Sequence, residues 1–303
     1  MTSPFPDPDP APAPAQPDGQ AGYDPAFLGP IVPLPHPTDP DIALVTLPYT
    51  HFTVLLRPDR RLAAATAVGI DGGRLVDLKR EGQWRLDPRV PEAQQAGEAL
   101  YADNDFDRGH LVRRLDPVWG DDAEVRAANA DTFHFTNAAP QHAAFNQGKQ
   151  LWAGLEDFLL THAATFDRKL VVLTGPVLRP ADPVYRKVRI PLAFWKVVAF
   201  LQDGALAATA YVLDQSPDLP NASAALAAAE AADQPPPLGA YRTFQVPVSD
   251  VADITALDLG PLPAVDLLPA PPSPAPTAPG AEPGPDRWRP LGRHEDIVLG
   301  PPR

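Results

Sequence analysis

The segment Asp107-Arg108-Gly109-His110 carries two side chains that could act on a phosphate ester. A neutral imidazole accepts a proton near neutral pH, so His110 could serve as a general base toward water. The guanidinium of Arg108 is charged at any relevant pH, and its planar donors match the oxygens of a phosphate group. A histidine after Gly109 could instead only form a hydrogen bond within a turn. The choice between these interpretations depends on other segments of the chain.

Asn146, in the segment Phe145-Asn146-Gln147-Gly148, is the candidate metal ligand. Its carboxamide oxygen is a hard donor that suits Mg²⁺, for which Mn²⁺ could substitute, and a neutral ligand leaves the full cationic charge available to a phosphate. Glu156 follows about three helical turns later, so on one continuous helix both side chains could flank the same groove. The alternatives are that Asn146 simply begins a helix and that Glu156 is a surface residue.

With Asn137-Ala138-Ala139-Pro140-Gln141 and Trp152-Ala153-Gly154-Leu155-Glu156, these segments resemble the DNA/RNA non-specific endonuclease family. DRGH, N-x-x-P-Q, F-N-Q-G and W-x-x-L-E follow one another at the family's spacing, and the resemblance extends over roughly residues 45–260. It implies a ββα-metal core, also called a His-Me finger. In such a core a β-hairpin presents the general base and the following helix presents the metal ligand.

The resemblance also implies a role for each side chain. His110 is the general base, Asn146 is the metal ligand, and Glu156 holds water molecules around the metal. Arg108 binds the phosphate. Asp107, Asn137 and Gln141 match positions that support the site in the family. For Asp107 we expect a structural rather than a catalytic role.

A further phosphate-binding arginine is implied upstream of the segment Trp84-Arg85-Leu86-Asp87-Pro88. Arg80 is the first candidate for this position. Because the spacing in this region varies within the family, Arg85 and Arg89 are alternatives, and each of the three could also be a solvated surface residue.

The activity that the resemblance implies is Mg²⁺-dependent endonucleolytic hydrolysis of DNA and RNA, which leaves 5′-phosphate and 3′-hydroxyl ends. Little sequence preference is expected, because contacts to backbone phosphates carry no base information. Two alternatives stay open: a nuclease-like module that recruits a protein partner through its acidic surface and proline-rich ends, and a phosphodiesterase for smaller nucleotides. A homodimer and an inhibitor protein are further partners that the resemblance makes possible.

The charge balance weakens a role that depends on tight binding of nucleic acid. The net charge is −13, whereas proteins that hold nucleic acid electrostatically usually present a basic face. Between Lys79 and Arg114, however, seven basic residues accompany seven acidic ones, beside the candidate site. A local positive cleft is enough for an enzyme.

Cysteine is absent, which excludes disulfides and thiolate metal sites. His134 and His142 could suggest zinc together with His110, but their spacing fits no common zinc pattern. The sequence has no apolar run that could cross a bilayer, and its N-terminus does not resemble a signal peptide. The expected location is therefore the cytoplasm, with a non-standard export route left open.

Proline is concentrated at the two ends, with 13 of 42 prolines in residues 1–40 and 13 in residues 261–303. Because proline fixes φ and removes a backbone donor, these ends are poor in regular structure. The predicted organisation is a flexible arm over residues 1–40, an endonuclease domain over residues 41–261, and a linker and short tail over residues 262–303.

Apolar periodicity predicts an α+β fold with a mainly antiparallel sheet and the ββα-metal core. The predicted strands are residues 41–56, 63–70, 75–78, 132–137, 169–175, 194–200, 207–213 and 241–248, with 75–78 as hairpin partner of 63–70 after a turn at 71–73. One short helix is predicted to begin at residues 121–122. Three further helices are predicted over residues 145–162, 222–232 and 251–257.

Overall fold

The computed structural model describes residues 22–142, 168–217, 221–239, 242–268, 288–292 and 296–297. Its strands are β1 (His36–Pro37), β2 (Val45–Tyr49), β3 (Phe52–Arg57), β4 (Leu62–Asp71), β5 (Phe106–His110), β6 (Ala138–His142), β7 (Lys169–Pro176), β8 (Val184–Tyr185), β9 (Val188–Arg189), β10 (Ala193–Gln202), β11 (Ala205–Asp214), β12 (Arg242–Val246), β13 (Leu257–Asp258) and β14 (Arg289–Pro290). The helices in these ranges are α1 (Glu98–Tyr101), α2 (Asp122–Asp131), α3 (Ala222–Ala231) and α4 (Val248–Thr255).

The main sheet has eight strands in the order β14-β12-β11-β10-β7-β4-β3-β2, and its neighbouring strands are antiparallel. Its central strands are buried on both faces, which explains their continuous apolar runs. The α+β class with a mainly antiparallel sheet is confirmed, as are the strands predicted at residues 169–175, 194–200 and 207–213.

The two faces of the sheet have different coverings. Phe194 and Val198 of β10 point to one face, where Leu111 and Val112 pack directly after β5, and we call this the site face. Alternate residues of β10 such as Trp195 point to the opposite face, which packs against α4 and the N-terminal residues of the described chain. The candidate catalytic hairpin is therefore fixed to one side of a sheet that is covered on both.

The packed region extends beyond the predicted domain boundaries. Tyr23, Leu28 and Val32 are buried against the sheet, although residues 1–40 were expected to form a flexible arm. In the tail, β14 pairs with β12 and Leu291 is buried on the site face. Apolar residues between the prolines provide this packing, and the domain boundaries at residues 40 and 262 stay predictions.

Two predicted strands are wrong. Residues 75–78 do not pair with β4, because both edges of β4 are occupied by the longer apolar strands β3 and β7; Leu75 forms only an isolated bridge with Trp119. Residues 132–137 are not a strand either. α2 continues to Asp131, a 3₁₀ turn follows over Phe135–Asn137, and the strand begins at Ala138.

The predicted helix starts agree with the structure better than these two strands do. Asp121 caps α2 and forms a capping box with Glu124, which confirms the start predicted there. α3 coincides with its prediction, and α4 begins three residues before the predicted Val251. The helix predicted over residues 145–162 lies outside the described residues. Within the described ranges, no helix is both long and apolar enough to cross a bilayer.

A buried polar network joins the edge strand β2 to the segments around the hairpin. The Tyr49 hydroxyl donates to the Asp87 carboxylate and lies 2.7 Å from Thr136 Oγ1. Arg89 Nη2 donates to Asp87 at 2.7 Å. Burial acts to raise the pKa of Asp87, but hydrogen bonds from Arg89 and Tyr49 hold it below its usual value.

We predict that Asp87→Asn lowers the free energy of unfolding by about 3 kcal/mol, because it leaves the charge of Arg89 without its buried partner. Urea unfolding of the full chain measures this change. Asp59→Asn is the matched control: its partner Arg57 lies nearer the solvent, and removal of such a pair costs at most about 1 kcal/mol. Equal losses in the two variants would contradict a structural role for the network.

Candidate active site

The antiparallel pair β5–β6 carries the DRGH segment. Gly109 lies opposite Ala139, and His110 lies opposite Ala138. A Cβ atom at Gly109 would stand 2.1 Å from Cδ of the buried Gln141 side chain, so the position excludes any larger residue while Gln141 keeps its place. Gln141, predicted to support the site, thus fills the space that the missing side chain of Gly109 leaves.

Asn137 connects the chain after His110 to the end of α2. Its Oδ1 accepts a hydrogen bond from Val112 N at 2.9 Å, and its Nδ2 donates to the carbonyls of Val112 and Thr132 at 2.9 and 3.0 Å. The Asn137 carbonyl also accepts from Leu111 N at 2.9 Å. The side chain is fully buried, so these bonds fix the backbone that follows the candidate base.

The His110 imidazole lies between aromatic rings. Its centroid is 4.6 Å from the Trp84 ring and 5.3 Å from the Phe133 ring, which it meets edge to face. Backbone hydrogen bonds of Arg85 with Phe133 and Phe135 hold the Trp84 segment in this position. His110 Nε2 is buried and has no hydrogen-bond partner among the described residues. The described residues therefore leave the hydrogen-bonding capacity of this nitrogen unused.

The surroundings of His110 keep its imidazole neutral. Burial lowers the pKa of His110 to about 3, and the positive charges of Arg80, Arg114 and Arg113 act in the same direction. The imidazole is therefore in its basic form throughout the physiological pH range. Arg80, predicted as the upstream phosphate-binding residue, acts on the same group as the predicted base.

Arg113 and Arg114 were not among the predicted site residues. They follow His110 by three and four positions, and the signal that could have identified them is the pair of arginines so close to the motif. Both contribute positive charge at the imidazole. The positive potential at the site therefore comes from both sides of the motif, upstream and downstream.

Arg108 lies on the same face of the hairpin as His110, since they are two residues apart on a strand. Its guanidinium forms an ion pair with Glu98 of α1 and lies 5.5 Å from the ring centroid of Tyr101. Asp107 points to the other face and lies opposite Gln141 in the strand pair. The Arg108 guanidinium is therefore already paired with a carboxylate in this structure.

The two alternative upstream arginines are engaged elsewhere. Arg89 belongs to the buried network and lies 4.6 Å from the Tyr49 ring centroid. Arg85 Nε donates to His134 Nε2 at 3.0 Å. Of the three candidates, Arg80 is the one whose charge lowers the pKa of His110.

A zinc site is not formed by the histidines that could suggest one. His134 Nε2 accepts from Arg85, and its Nδ1 lies 2.9 Å from the Asp131 carbonyl, so both ring nitrogens are used. Among the described residues, no group of three or more His, Asp or Glu side chains is placed to hold a metal ion. Asn146 and Glu156, the predicted metal ligand and its companion, lie outside these residues.

An antiparallel strand pair that presents an uncharged histidine beside several arginines is consistent with the family that the motifs resemble. The family model for DNA/RNA non-specific endonucleases matches residues 37–264. The chain belongs to this family. The expected resemblance is therefore confirmed.

Several relatives of this endonuclease-family chain bear nuclease names. A nuclease of Nostoc sp. is 27% identical over 128 residues, which cover 42% of this chain and 44% of that protein. Human mitochondrial endonuclease G is 28% identical over 152 residues, or 46% of this chain and 48% of that protein. An uncharacterized protein of Sinorhizobium fredii is 45% identical over 202 residues, or 60% of this chain and 30% of that protein. The chain spans less than half the length of each of these relatives.

The fold is also similar to that in a crystal structure of the EndoG/EndoGI complex. The TM-score is 0.52 at 16% sequence identity, and the match covers 70% of this chain and 84% of that one. At this level of identity the similarity shows a common fold.

We predict that the His110 imidazole stays neutral between about pH 8 and pH 5 in the free protein, because its pKa lies far below that of an ordinary histidine. Addition of a single-stranded oligonucleotide in EDTA should raise this pKa, since phosphates offset the arginine charges. NMR titration measures both effects, with the His110→Ala spectrum as the assignment control. A midpoint near 6.5 in the free protein, or a fall on addition of the oligonucleotide, would contradict the described environment.

Proposed function

We propose that this chain is a Mg²⁺-dependent endonuclease that hydrolyses phosphodiester bonds of DNA and RNA with little sequence preference. His110 is the general base, and the products carry 5′-phosphate and 3′-hydroxyl ends. The observation that carries the proposal is the state of His110: its imidazole is neutral, its Nε2 has no partner among the described residues, and arginine charges surround it. Membership of the endonuclease family supports the same reading.

In the reaction that we propose, His110 Nε2 takes a proton from a water molecule, and the water oxygen attacks the phosphorus. A new bond forms between phosphorus and the water oxygen, the bond from phosphorus to the 3′-oxygen breaks, and the departing 3′-oxygen takes a proton from solvent to become the 3′-hydroxyl. Arg108 binds the non-bridging oxygens, where negative charge accumulates, and Arg80 adds positive charge beside His110. Arg108 exchanges its ion pair with Glu98 for this contact.

The metal in this proposal is held by residues beyond the described ranges. Positive charge predominates around His110, and the described residues there offer no cluster of carboxylates for a cation. The donors are those that the family resemblance implies, the Asn146 carboxamide oxygen and, through water, the Glu156 carboxylate, a hard oxygen set that fits Mg²⁺ or Mn²⁺. When bound, the cation offsets negative charge on the phosphate and the departing oxygen.

The proposal reconciles the acidic chain with a polyanionic substrate. The net charge of −13 disfavours tight binding over a broad surface, but the arginines close to His110 supply a local contact for backbone phosphates. The alternative of a purely partner-recruiting module does not explain a neutral histidine with an available nitrogen among these charges. A phosphodiesterase for smaller nucleotides would use the same residues. The length of the substrates that are cleaved distinguishes it from an endonuclease.

The relatives suggest partners that we extend to this chain only as proposals. By analogy with the EndoG/EndoGI complex, an inhibitor protein restrains the activity. A homodimer is proposed from the family resemblance alone, and the cytoplasmic location stays a prediction.

The test is cleavage of plasmid DNA and of RNA by the full chain, with Mg²⁺ and with EDTA. We expect both substrates to be cut only with Mg²⁺, and His110→Ala to be at least about 100-fold slower because general-base catalysis is lost. His36→Ala is the matched control, since this histidine is exposed and pairs with Asp258 on another part of the fold. Intact substrates under all conditions, or full activity of a folded His110→Ala variant, would contradict the proposal.

A further inference from the structure

The loop of residues 75–85, which we call the upstream loop, is attached to the fold at both ends. Val76 N donates to the Val118 carbonyl at 3.0 Å, and Arg85 N donates to the Phe133 carbonyl at 3.0 Å. Leu78 packs against the small apolar cluster of Val118, Val125 and Ala128. Arg80 lies between these attachments and is exposed.

Arg114 and Asn129 hold the middle of the upstream loop. Arg114 Nη1 donates to the Leu78 carbonyl at 2.8 Å and to Asn129 Oδ1 at 3.3 Å. Asn129 Nδ2 in turn donates to the Glu81 carbonyl at 2.6 Å. The carbonyl bound by Arg114 precedes Arg80 and the carbonyl bound by Asn129 follows it, so the two side chains hold the backbone on both sides of Arg80.

This arrangement brings like charges together. Burial lowers the pKa of Arg114, and the neighbouring charges of Arg80 and Arg113 lower it further, whereas Asp77 acts to raise it. Arg80 forms no hydrogen bond or ion pair with another residue of the described ranges. The hydrogen bonds of Arg114 to the Leu78 carbonyl and to Asn129 both use one nitrogen, Nη1. Two positively charged guanidinium groups, one on the loop and one bound to it, favour an anion near both.

We propose that Arg80 and Arg114 form a second phosphate site, which binds a backbone phosphodiester next to the one on which His110 acts. The inference rests on the proposed function, because it assumes a nucleic-acid strand in the cleft. Asn129 is a positioning residue: it fixes the loop carbonyl after Arg80 and accepts from Arg114. The site contacts the phosphate and no base. Such a contact is compatible with a substrate range that includes both DNA and RNA.

The experiment measures binding rather than cleavage. Full-length His110→Ala protein in EDTA is titrated against a fluorescent single-stranded DNA of about 12 nucleotides, and the Kd is measured between about 50 and 200 mM KCl. Loss of one phosphate contact reduces the magnitude of the slope of log Kd against log salt by about 0.7. We expect this reduction for Arg114→Met and for Arg80→Met.

Two further variants make the result specific. Arg126→Met removes a charge from an exposed position on α2, where Arg126 pairs with Asp122, and should leave the slope unchanged. Arg114→Lys retains the charge and should keep most of the slope. If Arg114→Met lowers only the thermal stability, or if Arg114→Lys loses as much slope as Arg114→Met, Arg114 braces the loop without binding phosphate and the inference fails.

Failure of the second phosphate site can be distinguished from failure of the proposed nuclease function. If the slopes change as expected but the protein without the His110 substitution cuts neither DNA nor RNA, the phosphate site stands and the nuclease proposal falls. If that protein cleaves both and the slopes of Arg80→Met and Arg114→Met equal that of Arg126→Met, the second phosphate site falls and the nuclease proposal stands.

Discussion

A site that hydrolyses phosphodiesters must combine positive charge for the substrate with a base that carries none, and the arrangement around His110 satisfies both requirements. Arginine charges that attract a phosphate also disfavour protonation of a nearby imidazole, and burial against Trp84 and Phe133 adds to this effect. The cost is a weak base in the free protein. In the proposed reaction, a bound phosphate offsets the arginine charges and makes the imidazole more basic.

The fold fixes the backbone on both sides of His110. Gln141 packs where Gly109 has no side chain, and Asn137 ties the backbone after His110 to the end of α2. The Tyr49–Asp87–Thr136 contacts link the edge of the sheet to both the Trp84 segment and the turn before β6. A single-chain scaffold without disulfides thus positions charged groups through buried hydrogen bonds.

Much of this arrangement could be predicted from the sequence, because it rests on local patterns. The apolar runs of β7, β10 and β11 and the capping box of α2 are signals of that kind, and DRGH contains the candidate base, His110. The strand predicted at residues 75–78 failed because its apolar spacing cannot show that β3 and β7 already fill both edges of β4. The roles of Arg113 and Arg114 also depend on a loop that comes close only in the folded chain.

At the proline-rich ends, too, the local sequence does not show which contacts form in the folded chain. Composition predicts little regular structure in residues 1–40, yet Tyr23 and Val32 are buried against the sheet, since a few apolar residues between prolines are enough to pack on an existing surface. Composition describes which backbone conformations a segment can adopt. It does not describe which apolar surface of the rest of the chain needs to be covered.

The central claim is that neutral His110 accepts the proton of the attacking water, and chemical rescue of His110→Ala tests it most directly. Single-turnover cleavage of DNA is measured with Mg²⁺ at increasing imidazole concentrations and several pH values. We expect a rate that rises in proportion to the concentration of neutral imidazole. A rate that follows the protonated form, or no rescue in a folded variant that still binds DNA, would contradict it.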